Sequence, residues 1–253
     1  MGQPRFQHAA ALLHDGRVLV AGGLALGLEL DAAETYDPKT GQWSAASPMS
    51  EARQAPTATL LTDGRVLLAG GFSSCCSLAS AETYDPRTNS WSSAGMMSLP
   101  RGSFDAVLLK DGRVLIAGGL NADDILFESM SSAELYNPRS NSWHRIPDMS
   151  ESRIDAELTV LRNGDVLVSG GFQTPDFTSI AHTEILDVQA ENWMPAGSLN
   201  VPRGSHLSQL LFDGSVLVAG GDPNADFPTA STEIFRRPRE TMQDAQEDPD
   251  KKE

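Results

Sequence analysis

The chain has 253 residues, and its hydrophobic fraction of 40% is sufficient for a packed core. Its formal net charge of −15 repels phosphate backbones, which excludes nucleic acid as an expected partner. No apolar stretch approaches the roughly 18 residues that cross a membrane, so no membrane partner is expected, and the sequence indicates no compartment.

The first predicted elements are two short strands joined by a tight turn. Residues 9–13 are mostly apolar, and Asp15-Gly16 separates them from a second apolar run at residues 17–21. Asp-Gly between two such runs favours a hairpin, because both central residues of a type I′ turn need positive φ. Apolar and polar residues do not alternate in the second run, which predicts a strand buried on both faces.

Two more strands complete this first unit. Gly22-Gly23 ends the second strand, and residues 33–36 predict a third strand that carries Glu34 and Tyr36. A turn at residues 37–41, rich in Pro and Gly, leads to a fourth strand that carries Trp43. The first unit therefore predicts four consecutive antiparallel strands.

The same elements recur five times, about 50 residues apart. The double glycines are Gly22-Gly23, Gly70-Gly71, Gly118-Gly119, Gly170-Gly171 and Gly220-Gly221. A glutamate follows each of them: Glu34, Glu82, Glu134, Glu184 and Glu233. An arginine opens each unit: Arg5, Arg53, Arg101, Arg153 and Arg203. The units span approximately residues 4–51, 52–99, 100–151, 152–201 and 202–236.

Short four-stranded sheets bury both faces only when each sheet covers the next around a ring. The repeat therefore predicts one all-β propeller domain, residues 1–236, with about five blades of four antiparallel strands. The fifth unit has no tryptophan strand, so the last blade is expected to lack its outer strand. Residues 237–253 are polar and contain no aromatic residue, which predicts a disordered tail.

Closure of the ring has three interpretations. Five blades could close with a three-stranded last blade, the chain could belong to a longer propeller, or a partner chain could complete the ring. We expect closure at five blades, because an open ring would expose a blade face of several hundred Å², which soluble monomers rarely tolerate.

The opening arginine, the apolar strand that ends in Gly-Gly, the Glu-x-Tyr strand and the turn that leads to Trp resemble the kelch repeat. The resemblance covers roughly residues 4–236 and implies a kelch-type β-propeller. It also implies a non-catalytic protein-interaction module that binds a partner through loops on one rim. A carbohydrate- or cation-binding propeller is an alternative.

An enzyme fragment similar to galactose oxidase, or active on glycans, is the third interpretation. The copper-radical sugar oxidases need two tyrosines, two histidines and a cysteine crosslinked to a tyrosine. The three tyrosines here occupy repeat positions that predict packing within the blades, and both cysteines, Cys75 and Cys76, lie in a loop. We therefore predict no catalytic residue, no cofactor and no metal ligand set.

The candidate binding residues at the rim belong to two groups. The five opening arginines are either a ring that grips anionic ligands or, as we favour, partners of the repeat glutamates. The loops after the double glycines depart most from the repeat, and binding often resides in such loops. The loop candidates are Asp123, Asp124, Ile125, Phe127, Asp176, Phe177 and Asp222.

The candidate channel residues lie on or beside the innermost strands. His8 and His206 occupy the same position in units one and five, which places their rings close together if those units are neighbours. Asp105, Asp155 and Glu157 predict an acidic patch beside the channel, suited either to a hard cation or to buried water.

Overall fold

The computed structural model of the chain describes residues 1–74, 76–123, 127–223 and 228–236. The described residues form strands and turns, with no helix. No helix that could span a membrane is found among them.

The strands are grouped into five blades. Blade one contains β1 (Ala9–Leu12), β2 (Val18–Ala21), β3 (Leu24–Ala25), β4 (Leu28–Glu29), β5 (Ala33–Asp37) and β6 (Gln42–Ala46). Blade two contains β7 (Thr57–Leu60), β8 (Val66–Ala69), β9 (Phe72–Ser73), β10 (Cys76–Ser77), β11 (Ser80–Asp85) and β12 (Ser90–Met96). Blade three contains β13 (Asp105–Leu108), β14 (Val114–Ala117), β15 (Leu120–Ala122), β16 (Phe127–Ser129), β17 (Ala133–Asn137) and β18 (Ser142–Ile146). Blade four contains β19 (Glu157–Val160), β20 (Val166–Ser169), β21 (Phe172–Gln173), β22 (Thr178–Ser179), β23 (His182–Asp187) and β24 (Asn192–Ser198). Blade five contains β25 (Leu207–Leu210), β26 (Val216–Ala219) and β27 (Thr232–Phe235).

Each of the first four blades is a four-stranded antiparallel sheet, and a two-stranded hairpin, which we call the arm, projects between its second and third long strands. In blade one the sheet order is β1-β2-β5-β6, and β3 pairs with β4 in the arm. The second strand is buried on both faces, as predicted: every residue of β14 is buried. In its described residues, the fifth blade has three strands in the order β25-β26-β27, which agrees with the missing tryptophan strand.

The tyrosines and tryptophans pack within the blades, as predicted, and the structure shows that they do so as pairs. Tyr136 and Trp143 are paired across β17 and β18, and their ring centroids lie 5.0 Å apart. Tyr136 is fully buried. The same pair in blade two, Tyr84 and Trp91, has centroids 5.1 Å apart. These rings therefore fill the outer part of each blade.

The blades are arranged radially, as predicted. The innermost strands β1, β7, β13, β19 and β25 contact one another in that order. In the described residues, four apolar cores lie between blades one and two, two and three, three and four, and four and five. The chain thus forms a five-bladed propeller arrangement.

The expected packing of blade five against blade one is not present in the described residues. Leu12, on the face of blade one that points away from blade two, is 63% exposed. Leu207, on the face of blade five that points away from blade four, is 73% exposed. The interpretation of closure at five blades is therefore wrong for this structure, because two apolar sheet faces that closure would bury are open to solvent.

Candidate binding surfaces

The two ends of the propeller carry different connections. The tight turns at Asp15-Gly16 and residues 37–41 lie at one end of the blades, whereas the arms and the arginine segments that link blades lie at the other. This follows from the antiparallel order, since alternate connections return to the same end of a sheet. The loop and arginine candidates therefore share one end.

The opening arginines are buried inside the blades. In blade three, Arg101 Nη1 donates to the carbonyl oxygens of Gly118 at 2.8 Å and Ser132 at 3.0 Å, and Nη2 donates to Glu134 Oε1 at 3.0 Å. Burial lowers the pKa of Arg101 to about 10, which leaves it charged at neutral pH. The other four arginine–glutamate pairs are Arg5–Glu34, Arg53–Glu82, Arg153–Glu184 and Arg203–Glu233. The predicted pairing is confirmed, and these guanidinium groups are not presented at the rim to an anionic ligand.

The same pairs connect neighbouring blades. Glu134 Oε2 accepts a hydrogen bond from the backbone N–H of Ser98, which precedes Arg101 on the connection from blade two. The carbonyl oxygen of Arg153 accepts from Gly119 N–H of blade three at 2.7 Å, and Arg153 N–H donates to the carbonyl of Met130 at 2.9 Å. The arginine segments of blades two to five therefore join their own blades to the double glycine of the preceding one.

The loops after the double glycines of blades one to four form the arms rather than irregular loops. Ser77 of the blade-two arm links it to the blade-three arm, because its Oγ donates to Leu120 O at 3.0 Å and accepts from Ala122 N–H at 2.9 Å. Ser129 N–H of the blade-three arm donates to Thr174 Oγ1 of blade four at 2.9 Å. The arms of blades two to four thus form one continuous surface.

An aromatic pair lies on this surface. Phe127 of the blade-three arm is 52% exposed, and its ring centroid is 5.8 Å from that of Phe177 in the blade-four arm. Asp123, Glu128 and Asp176 are exposed nearby in the same two arms. We call these five residues the arm patch.

The remaining loop candidates are not part of the arm patch. Asp222 is half-buried, and its backbone N–H donates to Gly204 O at 2.9 Å within blade five. Asp124 and Ile125 lie outside the described residues. The structure therefore brings Phe127 and Phe177 of the third and fourth arms into contact. The segment that contains Asp222 also adjoins the blade-four arm, because Ser179 Oγ donates to the carbonyl oxygen of Pro223.

The three predicted acidic channel residues line one cavity of about 340 Å³, together with Ser205 and His206. Asp105 Oδ2 accepts a hydrogen bond from Leu158 N–H at 2.8 Å, and burial raises the pKa of Asp105 to about 6. Burial, together with the nearby charges of Asp105 and Asp155, raises the pKa of Glu157 to about 8. The pKa of Asp155 is also raised by burial. Of these three carboxyl groups, Glu157 has the pKa that lies above neutral pH, at about 8.

The two channel histidines are both partly inaccessible, and no described contact joins them. His206 Nε2 lies 2.8 Å from Ser169 Oγ of blade four, and burial lowers the pKa of His206 to about 4. His8 packs beside Gly23, and its Nδ1 is buried without a hydrogen-bond partner. Among residues 1–74, 76–123, 127–223 and 228–236, no three His, Cys, Asp or Glu side chains are arranged to hold a metal ion.

Two features escaped sequence reasoning. The arms are hairpins of only two or three residues per strand, too short to give an alternating pattern. Their turns are marked in the sequence by Leu26-Gly27 in blade one, where both residues have positive φ, and by Pro175-Asp176 in blade four. The open faces of blades one and five were not predicted, although the missing tryptophan strand of unit five had left a longer propeller or a partner chain as alternatives.

The repeat and the fold are similar to those of known proteins. A model of the Kelch motif matches residues 5–50, 55–98 and 106–150, which together exceed half of the chain. Kelch-like protein 21 of Bos taurus is 30% identical over 79 residues, which cover 31% of this chain and 13% of that protein.

Two solved structures resemble the whole fold. One is described as a novel fungal alcohol oxidase with catalytic diversity among the AA5 family, in complex with copper; its TM-score is 0.60 at 18% identity, covering 93% of this chain and 63% of that chain. The other is the structure of YjhT, with a TM-score of 0.73 at 16% identity, covering 90% of this chain and 80% of that chain. At such low identity these likenesses show the fold alone.

Proposed function

Because the chain belongs to the kelch-repeat family, we propose that it is a non-catalytic protein-interaction module that binds a partner through the arm patch. The observation that carries this proposal is the exposed Phe127 ring, packed on Phe177 and flanked by carboxylates. Aromatic side chains with a polar rim are typical of the energetically dominant part of protein interfaces.

The framework under the arm patch supports binding at low entropic cost. Ser77 and Ser129 hold the arms to one another by hydrogen bonds, so the two phenylalanines are positioned before a partner arrives. A surface that is ordered in advance loses less side-chain and loop freedom on association.

The charge of the surface indicates the partner's chemistry. Asp123, Glu128 and Asp176 are exposed in the same two arms as the aromatic pair, and the whole chain carries a net charge of −15. Complementary potentials steer association and penalise partners of like charge. The partner that fits is a protein segment with Lys or Arg beside apolar side chains.

Resemblance to Kelch-like protein 21 does not identify that partner. The chain matches only 13% of that protein, so its activity and its partners do not transfer. The proposal depends on the arm patch and on the family's fold.

The test begins with a photo-crosslinking residue at position 127 in the full chain, exposed to an extract of the source cells. Each captured protein is then purified, and its Kd for the unmodified chain is measured by calorimetry. We expect Phe127→Ala to weaken a true partner by at least about tenfold, the effect of losing a contact worth about 1.4 kcal/mol.

Met96→Ala is the matched control, because Met96 is an exposed apolar side chain on the outer strand β12 of blade two, outside the arm patch. We expect this change to alter the Kd less than about twofold. A partner whose Kd responds equally to both changes, or to neither, contradicts the assignment of the arm patch.

The acidic cavity supports a second candidate, a small polyhydroxyl ligand such as a carbohydrate. Glu157, with a pKa of about 8, is protonated at neutral pH and donates a hydrogen bond to a sugar hydroxyl more readily than it binds a hard cation. A thermal-shift series with a glycan panel and with calcium, repeated on Glu157→Gln, tests this. If Tm stays unchanged with every glycan and with calcium at millimolar concentration, neither a carbohydrate nor a cation is the ligand of this cavity.

A further inference from the structure

A space that we call the slot lies between the outward faces of blades one and five. Side chains alternate along a strand, and the paired registers place Leu12 on the slot face of blade one and Leu207, Leu217 and Ile234 on that of blade five. Leu12, Leu207 and Ile234 are exposed. Leu108, the equivalent of Leu12 in blade three, packs against the core shared with blade two. The slot therefore has two apolar walls.

In blades one to four, the first glycine of each double glycine lies against the carbonyl oxygen of the next blade's opening arginine. In the described residues, the equivalent glycine of blade five lacks this contact. A Cβ added to Gly118 would meet the carbonyl oxygen of Arg153 at 2.4 Å, because the next blade's arginine segment crosses directly over this glycine. Gly220 has nearly the same φ, 69° against 70°, yet its nearest neighbour in the described residues is Thr229 O at 3.9 Å. Blade five thus has the close-approach glycine without the arginine segment that approaches it.

The wall on blade one lacks the complementary partner. The indole N–H groups of Trp91, Trp143 and Trp193 each donate to a carbonyl of the preceding blade, namely Ser47, Ala94 and Pro147. In the described part of the chain, Trp43 makes no such bond. Blade one therefore has the donor that would reach a preceding outer strand.

The arm end of the slot shows the same pattern. In blade three, the residue after the arginine, Gly102, lies under the Phe72 ring of the preceding arm. In blade one that position is Phe6, which is exposed and borders an apolar groove of about 440 Å³ with Leu24 and Leu26. No described arm covers this groove.

From these three observations we propose that the slot is the docking surface of one further kelch-type blade. That blade supplies an arginine carbonyl above Gly220, an outer-strand carbonyl to Trp43 and an arm over Phe6. The YjhT structure extends about a fifth beyond the part that this chain matches, close to the share of one blade in six.

The occupant is a blade tethered to this ring rather than a second copy of it. The two walls need different complements, an arginine segment and an outer strand, and one blade carries both on its opposite faces. A single four-stranded sheet buries neither face alone, so it folds only in the slot, and a tether provides the high effective concentration that such coupled folding needs.

The experiment extends the full chain at residue 253 by a flexible linker and a copy of residues 100–151, the unit with the most complete repeat. A matched control carries the same residues in shuffled order. Both extended proteins carry Cys75→Ser and Cys76→Ser, so that no native thiol reacts. Leu12→Cys or Leu207→Cys is then introduced into each protein, and the rate at which the new thiol reacts with a maleimide is measured. We expect the ordered extension to slow both rates at least about tenfold relative to the shuffled one.

Gly220→Ala gives a second measurement on the same proteins. In the shuffled control the space around Gly220 is open, so the added methyl group meets no neighbour. We expect Tm to fall by about 2 °C, because alanine is strained at this positive φ. In the ordered extension, the docked arginine carbonyl occupies that space, so we expect a fall at least about twice as large. Gly118→Ala should lower Tm strongly in both.

Three results would overturn the proposal. The first is that each cysteine reacts at the same rate in the ordered and the shuffled extension, whether or not the extension folds elsewhere. Protection that rises with concentration of the unextended chain would assign the slot to a second copy. Faster labelling of the unextended chain after truncation at residue 236 would assign it to residues 237–253.

Discussion

The interface between blades two and three and the slot are built from the same repeat positions, yet they differ in every contact that a neighbour supplies. At the interface, Val114, Ile116 and Tyr136 are fully buried against blade two. At the slot, Leu12 and Leu207 are largely exposed. The difference teaches that a kelch unit encodes two complementary faces, and that burial of each face is decided by the adjacent sheet.

The largest effect expected from this comparison comes from the buried ion pairs. Arg101→Ala leaves Glu134 buried without its cation, and we expect a loss of about 3–5 kcal/mol in the free energy of unfolding. Arg5→Ala makes the same change in blade one, where the Glu34 side chain is 12% exposed against 1% for Glu134. Water from the slot side can rehydrate Glu34, so we expect a loss smaller by about 2 kcal/mol, measured by urea denaturation.

Glu134→Gln and Glu34→Gln, combined with their arginine changes, provide the control. If the cost comes from a stranded carboxylate, the double variant of blade three recovers part of the stability that Arg101→Ala loses. Equal losses for Arg101→Ala and Arg5→Ala would show that the open slot face gives blade one no special access to water.

An intermediate effect is expected for apolar side chains. Leu108→Ala removes methyl groups packed against the core between blades two and three, and we expect it to lower the free energy of unfolding by about 2 kcal/mol. Leu12→Ala, at the equivalent slot position, should stay within about 0.5 kcal/mol. A cost for Leu12→Ala near that of Leu108→Ala in chemical denaturation would mean that the slot is filled in solution.

The smallest effect expected from the comparison is a pH dependence of stability, which comes from a buried carboxyl group that has no cationic partner. Glu134 is paired with Arg101, whereas Glu157, beside the open blade five, has a pKa raised to about 8 by burial and by neighbouring acids. The folded protein therefore binds the Glu157 proton more tightly than the unfolded chain does. This stabilisation is complete below the unfolded pKa of about 4.5 and is lost as pH rises through 8.

Glu157→Gln should remove that dependence. Between pH 6 and 8, above the pKa of about 6 for Asp105, we expect the variant to lose less stability than the parent. At pH 8 the free energy of unfolding of the variant, relative to that of the parent, should be higher by on the order of 1 kcal/mol than it is at pH 6. This figure is discounted because Glu157 is partly exposed. Glu128→Gln on the exposed arm is the control. Parallel stability–pH curves for parent and Glu157→Gln would contradict the raised pKa.

Sequence reasoning anticipated the main antiparallel sheet of each blade and missed the arms. The hairpins at the Asp-Gly pairs, the doubly buried second strand and the arginine–glutamate pairs follow from local spacing. The expected type I′ turn is wrong, because only the glycine of each pair has positive φ, as at Gly16. It also placed Asp105, Asp155 and Glu157 beside one another, because they share one position range on adjacent inner strands. It did not anticipate that Phe127 meets Phe177, since that contact joins two arms whose lengths differ.

The sequence by itself determined the repeat, the strand order and the partners that each side chain finds within its own blade, because those interactions join residues at fixed separations along the chain. Only the tertiary structure decided how the ring ends, which arms meet and which apolar faces stay open. Those outcomes depend on how many sheets lie side by side, and a face that awaits a neighbour has the same composition as a face that already has one.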